Sequence, residues 1–326
     1  MSEAEESIRS PGCNSRAAEL LARSAARFAE LGIGTATLSN GARVLDFGVH
    51  SRGSVQAGVL LAKVCLAGMA DVALETGTLG ERRWPAVRVA TDAPLMACLL
   101  NQYAGWKIDS DGFFAMGSGP MRLLARREPL FDQLGVAASS EEVAVGVLET
   151  ATLPDAKVCA FIARACGVPT DRLTLCVART ASIAGGLQIA ARSVETALHK
   201  LLELGFPVQR ILSGWGTAPL PPVAADDLSA MGKTNDAILY GGEVVLFVDL
   251  PDDAWLRRHG AQIPSCASAS FGKSFLDVFE AAGRDFYAMD PLLFSPAVVT
   301  INNLKTGTVC SWGVRRDDLV WQSFTR

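Results

Sequence analysis

One pattern of apolar and glycine-rich segments occurs twice along this chain and limits the folds open to it. An apolar strand-like run, a helical stretch, a second apolar run and a glycine-rich turn follow one another, first over residues 85–120 and again over residues 173–219. β-Branched apolar runs favour strands, and Leu and Ala at spacings of three and four favour helices. The pattern predicts a mixed α/β fold of two similar α/β domains that face each other across a substrate cleft. The alternative is that two such similar segments arise by chance in an ordinary α/β protein.

The length and composition agree with two domains. A chain of 326 residues, 49% of them hydrophobic, can bury a large core. We expect a mobile N-terminal tail over residues 1–15, a first α/β domain over 16–150 and a second over 151–326. The last strands are free, in this prediction, to return to the first domain.

Local signals predict individual elements. Helices are expected over residues 15–31, 54–70, 155–166 and 183–204, with Gly32 and Gly167 as stops for the first and third. The paired Gly241 and Gly242 predict a hairpin of two short strands within residues 236–248. Two late strands are expected over residues 297–302 and 309–314.

Charge and hydropathy exclude several classes of partner. The formal net charge is −4 and the basic residues are scattered, which argues against nucleic acid as a partner. The long apolar run over residues 57–70 is interrupted by Lys63 and Gly68, short of the ~20 residues that a membrane span requires. The acidic N-terminus has no apolar core of a secretory signal, so a cytoplasmic protein is expected.

Recognisable metal, nucleotide and nucleophile motifs are absent from the sequence. Its eight cysteines form no CxxC pair and lie mostly in apolar runs, as buried thiols do in a reducing compartment. Three scattered histidines and no HExxH leave no zinc motif, and neither a Walker A loop nor a GxSxG elbow occurs. Two short fragments, Gly117-Ser118-Gly119 and Gly214-Trp215-Gly216, follow strand-like runs, where open α/β sheets bind ligands. Lone fragments of this kind are weak signals, and an ordinary tight turn is their more common explanation.

One helical stretch carries a polar band. At about 100° per residue, Gln188, Arg192, Glu195 and His199 fall opposite the apolar side of helix 183–204. From periodicity alone this band reads as a solvated stripe whose Arg–Glu pair contributes roughly 0.3 kcal/mol. The proline-rich segment 213–222 that follows suits a rigid loop for a flat heterocycle. The acidic and amide residues at 226–227 and 233–236 can serve the same pocket or simply cap backbone amides.

The blocks 188–200, 213–222 and 232–242 resemble the methenyltetrahydromethanopterin cyclohydrolases. Residues 103–107 and 117–120 add weaker support, and the likeness runs from about residue 16 to 324. Lys233 departs from the family pattern, in which we expect arginine, and this bears on the pterin side of the pocket.

The resemblance implies a two-domain α/β subunit with a pocket between the domains, in a homotrimer. It implies hydrolysis of 5,10-methenyl-tetrahydromethanopterin to the 5-formyl carrier in one-carbon metabolism and formaldehyde oxidation, with neither metal nor diffusible cofactor. The family's Arg-x-x-Glu pair falls on Arg192 and Glu195, as catalytic residues. Substrate-binding positions then fall on Lys107, Gly117, Ser118, Gly119, Ser213, Gly214, Gly216, Lys233, Asn235 and Asp236.

The chemistry is coherent with those residues. The methenyl carbon shares the positive charge of two nitrogens, so it needs a positioned water and a base rather than a Lewis acid. Glu195 is the expected base, and Arg192 either orients it and keeps it ionised or contacts a pterin carbonyl. Two alternatives remain at this point: an enzyme acting on a folate carrier, and a pterin-binding protein without activity.

Overall fold

The computed structural model describes residues 8, 10–285 and 288–326. The chain forms two compact units, each built from two stretches of sequence. Unit 1 comprises the described residues up to Gly68 together with Leu100–Arg179, and unit 2 comprises Met69–Leu99 and Thr180–Arg326. This division differs from the continuous boundary expected between residues 150 and 151. Most of the expected tail lies outside the described residues, and from Cys13 onward the chain is already helical.

Unit 1 is organised around a six-stranded mixed sheet with the order β1-β2-β8-β7-β6-β5. Strands β2, β8 and β7 are parallel to one another, and the pairs β1–β2, β7–β6 and β6–β5 are antiparallel. The strands are β1 (Gly34–Thr37), β2 (Arg43–Gly48), β5 (Trp106–Ser110), β6 (Phe113–Ser118), β7 (Ala144–Glu149) and β8 (Leu173–Ala178).

The helices of unit 1 cover its sheet. They are α1 (Cys13–Ser24), α2 (Val55–Cys65), α3 (Met121–Ala125), α4 (Leu130–Gln133) and α5 (Ala156–Cys166). Asp155 caps α5 by accepting hydrogen bonds from the N–H groups of Lys157 and Val158, and Gly167 ends it in the left-handed region at φ 71°. The core between α5 and the sheet includes Val44, Ile108, Leu148, Ile162 and Leu175.

A buried carboxylate shapes the loop that follows β2. Asp46 Oδ1 accepts hydrogen bonds from the N–H groups of Gly48 and Val49, and Oδ2 accepts from those of His50 and Ser51, at 2.6–2.9 Å. Burial opposes ionisation, but these four hydrogen bonds outweigh it and hold the pKa of Asp46 below its usual range. The loop at the carboxyl end of this strand is therefore fixed through its backbone.

Unit 2 contains a second six-stranded mixed sheet, with the order β12-β11-β10-β9-β4-β3. Only the pair β10–β11 is parallel among its neighbouring strands. The strands are β3 (Asp71–Leu79), β4 (Arg82–Thr91), β9 (Ile211–Pro219), β10 (Glu243–Val248), β11 (Val298–Asn303) and β12 (Val309–Gly313). Residues 69–99 belong to unit 2 because β4 pairs with β9 and β3 pairs with β4 at the edge of the same sheet.

The helices of unit 2 pack on that sheet and on one another. They are α6 (Ile183–Ala190), α7 (Ser193–Glu203), α8 (Asp227–Gly241), α9 (Ala254–His259), α10 (Phe275–Ala281) and α11 (Asp317–Thr325). Helix α7 lies against β9 and β10, and α8 contacts α6, α10 and α11. The core among α8, α10 and α11 includes Leu239, Tyr240, Phe275, Leu293 and Val320.

The connections are a π-helix and short 3₁₀ turns. The π-helix, Leu95–Gln102, contains the point at which the chain passes from unit 2 to unit 1. In the described part of the chain, 3₁₀ turns include Ala25–Arg27, Thr170–Arg172, Val208–Arg210, Gly260–Gln262, Ser265–Ala267 and Pro291–Leu293.

The prediction of a mixed α/β fold is confirmed, and so are most local elements. The expected hairpin over residues 236–248 is wrong. Residues up to Gly241 form the end of α8, and only Glu243–Val248 is a strand. The paired glycines end the helix instead of turning a hairpin, since a Cβ at Gly242 would lie 2.6 Å from the carbonyl oxygen of Ile238.

The repeated pattern is present as secondary structure, with two corrections. The second glycine-rich segment is not a turn, because Ser213, Gly214 and Gly216 all lie inside β9. The expected continuous helix 183–204 is two helices, α6 and α7. The structure also describes no helix that is both long and apolar enough to span a membrane.

The thiols behave as the composition indicates. Six of the eight cysteines are buried, and only Cys266 and Cys310 are partly exposed. Burial raises the pKa of both Cys159 and Cys166 to about 12, so these thiols are protonated at neutral pH.

Candidate functional site

The candidate catalytic pair lies where α6 gives way to α7. Ala191 and Arg192 have ψ angles of 1° and 9°, so the backbone leaves the helical path without proline or glycine. The carbonyl oxygen of Arg192 then accepts hydrogen bonds from both the N–H and the hydroxyl of Thr196, which starts α7. Arg192 thus occupies the junction, and Glu195 lies in the first turn of the second helix.

Both side chains are buried, which decides against the solvated stripe. Arg192 is 7% exposed and Glu195 is 6% exposed. The Nη2 of Arg192 donates a hydrogen bond of 3.1 Å to Oε1 of Gln188, which is itself buried. A carboxylate in the first turn of a helix is favoured by the unpaired N–H groups and the helix dipole at that end. Glu195 therefore lies near the positive end of the α7 dipole and is largely shielded from bulk water.

His199, the last member of the polar band, and the adjacent Lys200 have different surroundings. His199 is 30% exposed at its side chain, and its Nε2 lies 4.0 Å from Oε1 of Glu203 on the outer side of α7. Lys200 is buried and its Nζ donates a hydrogen bond of 2.6 Å to the carbonyl oxygen of Leu292. Burial lowers the pKa of Lys200 to about 8, although Asp290 opposes this shift.

The glycines of β9 allow the first turn of α7 to approach the sheet. A Cβ at Gly214 would lie 2.9 Å from Cγ1 of Val194, and one at Gly216 would lie 2.7 Å from Oγ of Ser193 and 2.9 Å from Cγ2 of Val194. Real side chains do not approach this closely. Gly214 and Gly216 therefore set the depth at which the turn bearing Glu195 rests on β9.

Ser213 is placed at the start of that strand and is tied to a residue that sequence analysis missed. Its hydroxyl donates a hydrogen bond of 2.7 Å to Oδ1 of Asp92, just beyond β4. Asp92 directly follows β4, and a carboxyl group immediately beyond a strand is the signal that could have found it.

The predicted substrate-binding residues on α8 contact other parts of unit 2. Lys233 Nζ donates hydrogen bonds to the carbonyl oxygens of Phe324 (3.0 Å) and Arg326 (3.1 Å), and Asn235 donates one of 2.8 Å to that of Met231. Asp236 is 1% exposed, and its Oδ1 accepts a hydrogen bond of 2.8 Å from the N–H of Phe275. The structure brings Lys233 to the C-terminus and Asp236 to the start of α10, whereas Asn235 bonds within α8.

Asp236 is also the most perturbed carboxyl group in this region. Burial raises its pKa to about 7, although hydrogen bonds from Ser323 and the Phe275 backbone favour the charged form.

Two nearby acidic residues accept hydrogen bonds from backbone N–H groups at the starts of helices, one of the two roles expected for them. Asp226 accepts from the N–H of Ser229 to cap α8, and Asp227 accepts from the N–H of Ala181 ahead of α6.

Unit 1 holds the remaining predicted residues on two adjacent strands and directly after the second of them. Lys107 on β5 pairs with Met116 on β6, and Trp106 pairs with Gly117. The side chain of Lys107 is exposed, whereas Gly117, Ser118 and Gly119 are buried. Gly119 has φ 85°, the left-handed region that glycine adopts without strain. In unit 1 the structure therefore brings Lys107 and residues 117–119 close together.

The potential for metal binding can be judged from the side chains present. No group of three or more His, Cys, Asp or Glu side chains among the described residues could hold a metal ion.

Comparison with known proteins decides the family. A family model described as Cyclohydrolase (MCH) matches residues 12–324. A Rhodopirellula baltica protein named methenyltetrahydromethanopterin cyclohydrolase is 46% identical over 288 residues, which cover 87% of this chain and 86% of that protein. The chain belongs to the cyclohydrolase family.

Two further relatives extend the match to nearly the whole chain. A Methanosarcina mazei protein with the same name is 42% identical over 289 residues, or 88% of this chain and 90% of that protein. One from Methylobacterium sp. (strain 4-46) is 41% identical over 320 residues, or 96% and 98% respectively. The family resemblance inferred from the 188–242 blocks is confirmed, and those blocks carry the buried pair at the junction of α6 and α7.

Proposed function

We propose that this member of the cyclohydrolase family reversibly hydrolyses 5,10-methenyl-tetrahydromethanopterin to 5-formyl-tetrahydromethanopterin. The observation that carries the proposal is the burial of Arg192 and Glu195 together at the helix junction, within the block that matches the family. A charged pair withdrawn from water at a helix start is expensive unless the site uses it. Relatives over 86–98% of their lengths are named for this reaction.

Glu195 is the proposed base. The amidinium carbon of the substrate is electrophilic, so attack by water needs only a held nucleophile and an acceptor for its proton. As the new C–O bond forms, one proton passes from the water to Glu195 and a neutral hydroxyl adduct results. Cleavage of one C–N bond then gives the formyl C=O, and the hydroxyl proton passes to the departing nitrogen. The proton on Glu195 returns to solvent, so one cation and one water yield one neutral product and one proton.

Arg192 is proposed to hold Glu195 ionised and oriented. Its guanidinium is anchored to Gln188 on the preceding helix, which fixes the direction in which the rest of the group points. A planar group with five N–H donors suits this role better than a flexible ammonium. Contact with a pterin carbonyl is the other role open to it, and kinetics separates them. Loss of orientation lowers kcat, whereas loss of a pterin contact raises KM.

The pterin-binding role is proposed for the residues that the family pattern selects. In unit 1 these are Lys107, Gly117, Ser118 and Gly119. In unit 2 they are Ser213, Gly214, Gly216, Lys233, Asn235 and Asp236. Of this second group, Gly214 and Gly216 adjoin the first turn of α7, whereas Lys233 and Asp236 bond to the C-terminus and the start of α10. We therefore expect the β9 residues to matter more for binding.

The wider setting is part of the same proposal. We expect a cytoplasmic homotrimer that acts in one-carbon metabolism, including formaldehyde oxidation, and that needs neither metal nor diffusible cofactor. Light scattering on the purified protein measures the oligomeric state directly. A mass of one or two subunits would rule out the trimer.

The decisive experiment is spectroscopic. Purified protein is mixed with methenyl-tetrahydromethanopterin, and loss of the ultraviolet absorbance of the methenyl group is followed with time. Catalysed loss that scales with protein concentration supports the proposal. Binding without turnover would identify a pterin-binding protein, and faster turnover of the methenyl-folate carrier would identify a folate enzyme.

A further inference from the structure

We propose that Arg122 and Glu128, a buried ion pair in unit 1, are positioning residues for substrate binding. The inference rests on the proposed function, because it concerns the two segments of unit 1 to which substrate binding is assigned. Those segments are residues 103–107, which end at Lys107, and residues 117–119. The pair itself lies outside both of them.

The pair is buried and bidentate. Arg122 is 0% exposed and Glu128 is 9% exposed. The Nε of Arg122 donates to Oε1 of Glu128 at 2.8 Å, and Nη2 donates to Oε2 of the same carboxylate. The guanidinium carbon also lies 5.4 Å from the ring centre of Phe131. Two parallel hydrogen bonds and an aromatic face fix the guanidinium in one orientation.

The remaining nitrogen of the guanidinium, Nη1, donates hydrogen bonds to the end of the π-helix. Nη1 of Arg122 donates to the carbonyl oxygens of Leu100 (2.9 Å) and Asn101 (3.2 Å). The carbonyl oxygen of Asn101 also accepts a hydrogen bond of 2.8 Å from the N–H of Gly119. The backbone of segment 117–119 and the guanidinium thus share one acceptor, and a shift of Arg122 moves both.

The same pair fixes the segment that leads to Lys107. The guanidinium carbon lies 5.3 Å from the ring centre of Tyr103. Two residues later, Gly105 passes so close to Oε2 of Glu128 that a Cβ there would collide with it. The path of the chain into β5 therefore depends on the position of the Glu128 carboxylate, and the position of Lys107 depends on that path.

The energetics favour a geometric role over a stabilising one. The cost of removing two charges from water roughly cancels their mutual attraction, so an apolar pair of similar size gives equal or greater stability. An apolar pair cannot, however, donate directed hydrogen bonds to the two carbonyl oxygens. Replacement of the pair by apolar residues therefore separates stability from positioning.

The test is the double variant Arg122→Met/Glu128→Leu. We expect a melting temperature at or above that of the wild type, kcat close to wild type, and KM raised by about tenfold, since small displacements of positioning groups are costly. Gly105→Ala, which displaces Glu128 without altering the pair chemically, should raise KM in the same direction. The matched control is Arg126→Gln/Asp132→Asn, which removes the neighbouring, more exposed 2.6 Å pair beside the same Phe131 ring and should leave KM unchanged.

Binding is measured in parallel by calorimetry with the methenyl carrier, in proteins that also carry Glu195→Gln. If the wild type binds the carrier without turning it over, the proposed function fails, and the dissociation constants still decide the role of the pair. A double variant that folds with KM and Kd equal to those of its parent would overturn the inference. So would a carrier that does not bind to any of the proteins.

Discussion

The guanidinium of Arg192 is tied to Oε1 of Gln188 by a 3.1 Å hydrogen bond that spans the junction between α6 and α7. The bond joins the last turn of one helix to the residue that precedes the next. Because Glu195 follows three positions later in the first turn of α7, the direction of its side chain depends on the angle at this junction. Helical periodicity predicts that these residues share one face of a single helix. In the structure they lie instead at the junction of two helices.

Glu195→Gln is the most direct test of the base. The substitution keeps the size and the hydrogen-bonding reach of the side chain but removes its basicity. We expect kcat to fall by roughly 10²–10⁴-fold, with a much smaller change in KM, and the reactivity of the free amidinium carbon limits the effect to the lower part of that range. Stopped-flow absorbance of the methenyl group measures it. Glu203→Gln, on the exposed side of the same helix, is the control, and a Glu195→Gln enzyme within a few-fold of the wild type would remove Glu195 from the mechanism.

Gly216→Ala tests whether Gly216 sets how closely the first turn of α7 packs against β9. The added methyl group would meet Ser193 and Val194, so the turn must lift from β9, at a cost of about 1–3 kcal/mol typical of overpacking. We expect kcat to fall together with the melting temperature. Gly77→Ala crowds the same sheet, 3.0 Å from Cβ of Ala86, without touching α7. Equal losses of kcat in both variants, at matched loss of stability, would contradict a role for Gly216 in placing Glu195.

Asp236→Asn tests the raised pKa of a buried carboxyl. Burial lifts this pKa from 3.8 to about 7, so the folded protein keeps a proton that the unfolded chain releases. Stability from this group is therefore greatest below about pH 4 and is lost as pH rises to about 7, beyond which it stays constant. The neutral amide removes this dependence. We expect the melting temperature of the variant relative to the wild type to increase from pH 4 to pH 8.

The same variant bears on the proposed binding role of Asp236. Calorimetric melting curves of both proteins over that pH range test the titration of Asp236. A difference in melting temperature that does not change with pH would disprove it. Assays at pH 8 test the binding role, since a raised KM supports contact with substrate.

Metal removal tests the proposed chemistry. The electrophilic amidinium carbon does not require a Lewis acid, and the sequence lacks recognisable ligand motifs. Prolonged dialysis against EDTA, followed by assay in metal-free buffer, should leave kcat and KM unchanged. Loss of activity that is restored by added zinc would show that a metal takes part.

Elements with strong local signals were predicted well from sequence. Asp155 and Gly167 mark the two ends of α5, where a carboxylate cap and a left-handed glycine satisfy the backbone groups that a helix leaves open. The apolar alternation of β11 and β12 likewise placed both strands within a residue of their observed bounds. In each case the deciding interactions lie within a few residues of one another.

The errors arise where one residue type serves two purposes. Gly241 and Gly242 are typical of a hairpin turn, yet here they end α8 close to the backbone of Ile238. Gly214 and Gly216 are typical of a loop, yet they lie in a central strand because α7 packs against them. The break at Arg192 has no glycine or proline to reveal it. The pairing of β4 with β9 depends on contacts more than a hundred residues apart in sequence.

The candidate pair could be found from the sequence, whereas its environment could not. Arg192 and Glu195 were selected by the family pattern, while helical periodicity placed them on a solvated face. Their burial depends on how α6 and α7 pack in unit 2, which no local pattern encodes. Arg122 and Glu128 were missed for a similar reason, since a charged pair six residues apart gives no sign of being enclosed.

The loop held by Asp46 has a consequence for how this protein can change over evolution or by design. Its four hydrogen bonds come from main-chain N–H groups, which every residue except proline possesses. The path of the loop is thus largely independent of which side chains it carries. The exposed position of His50 can accept many different residues without a new backbone conformation, so one fixed carboxylate makes this edge of the sheet tolerant of mutation.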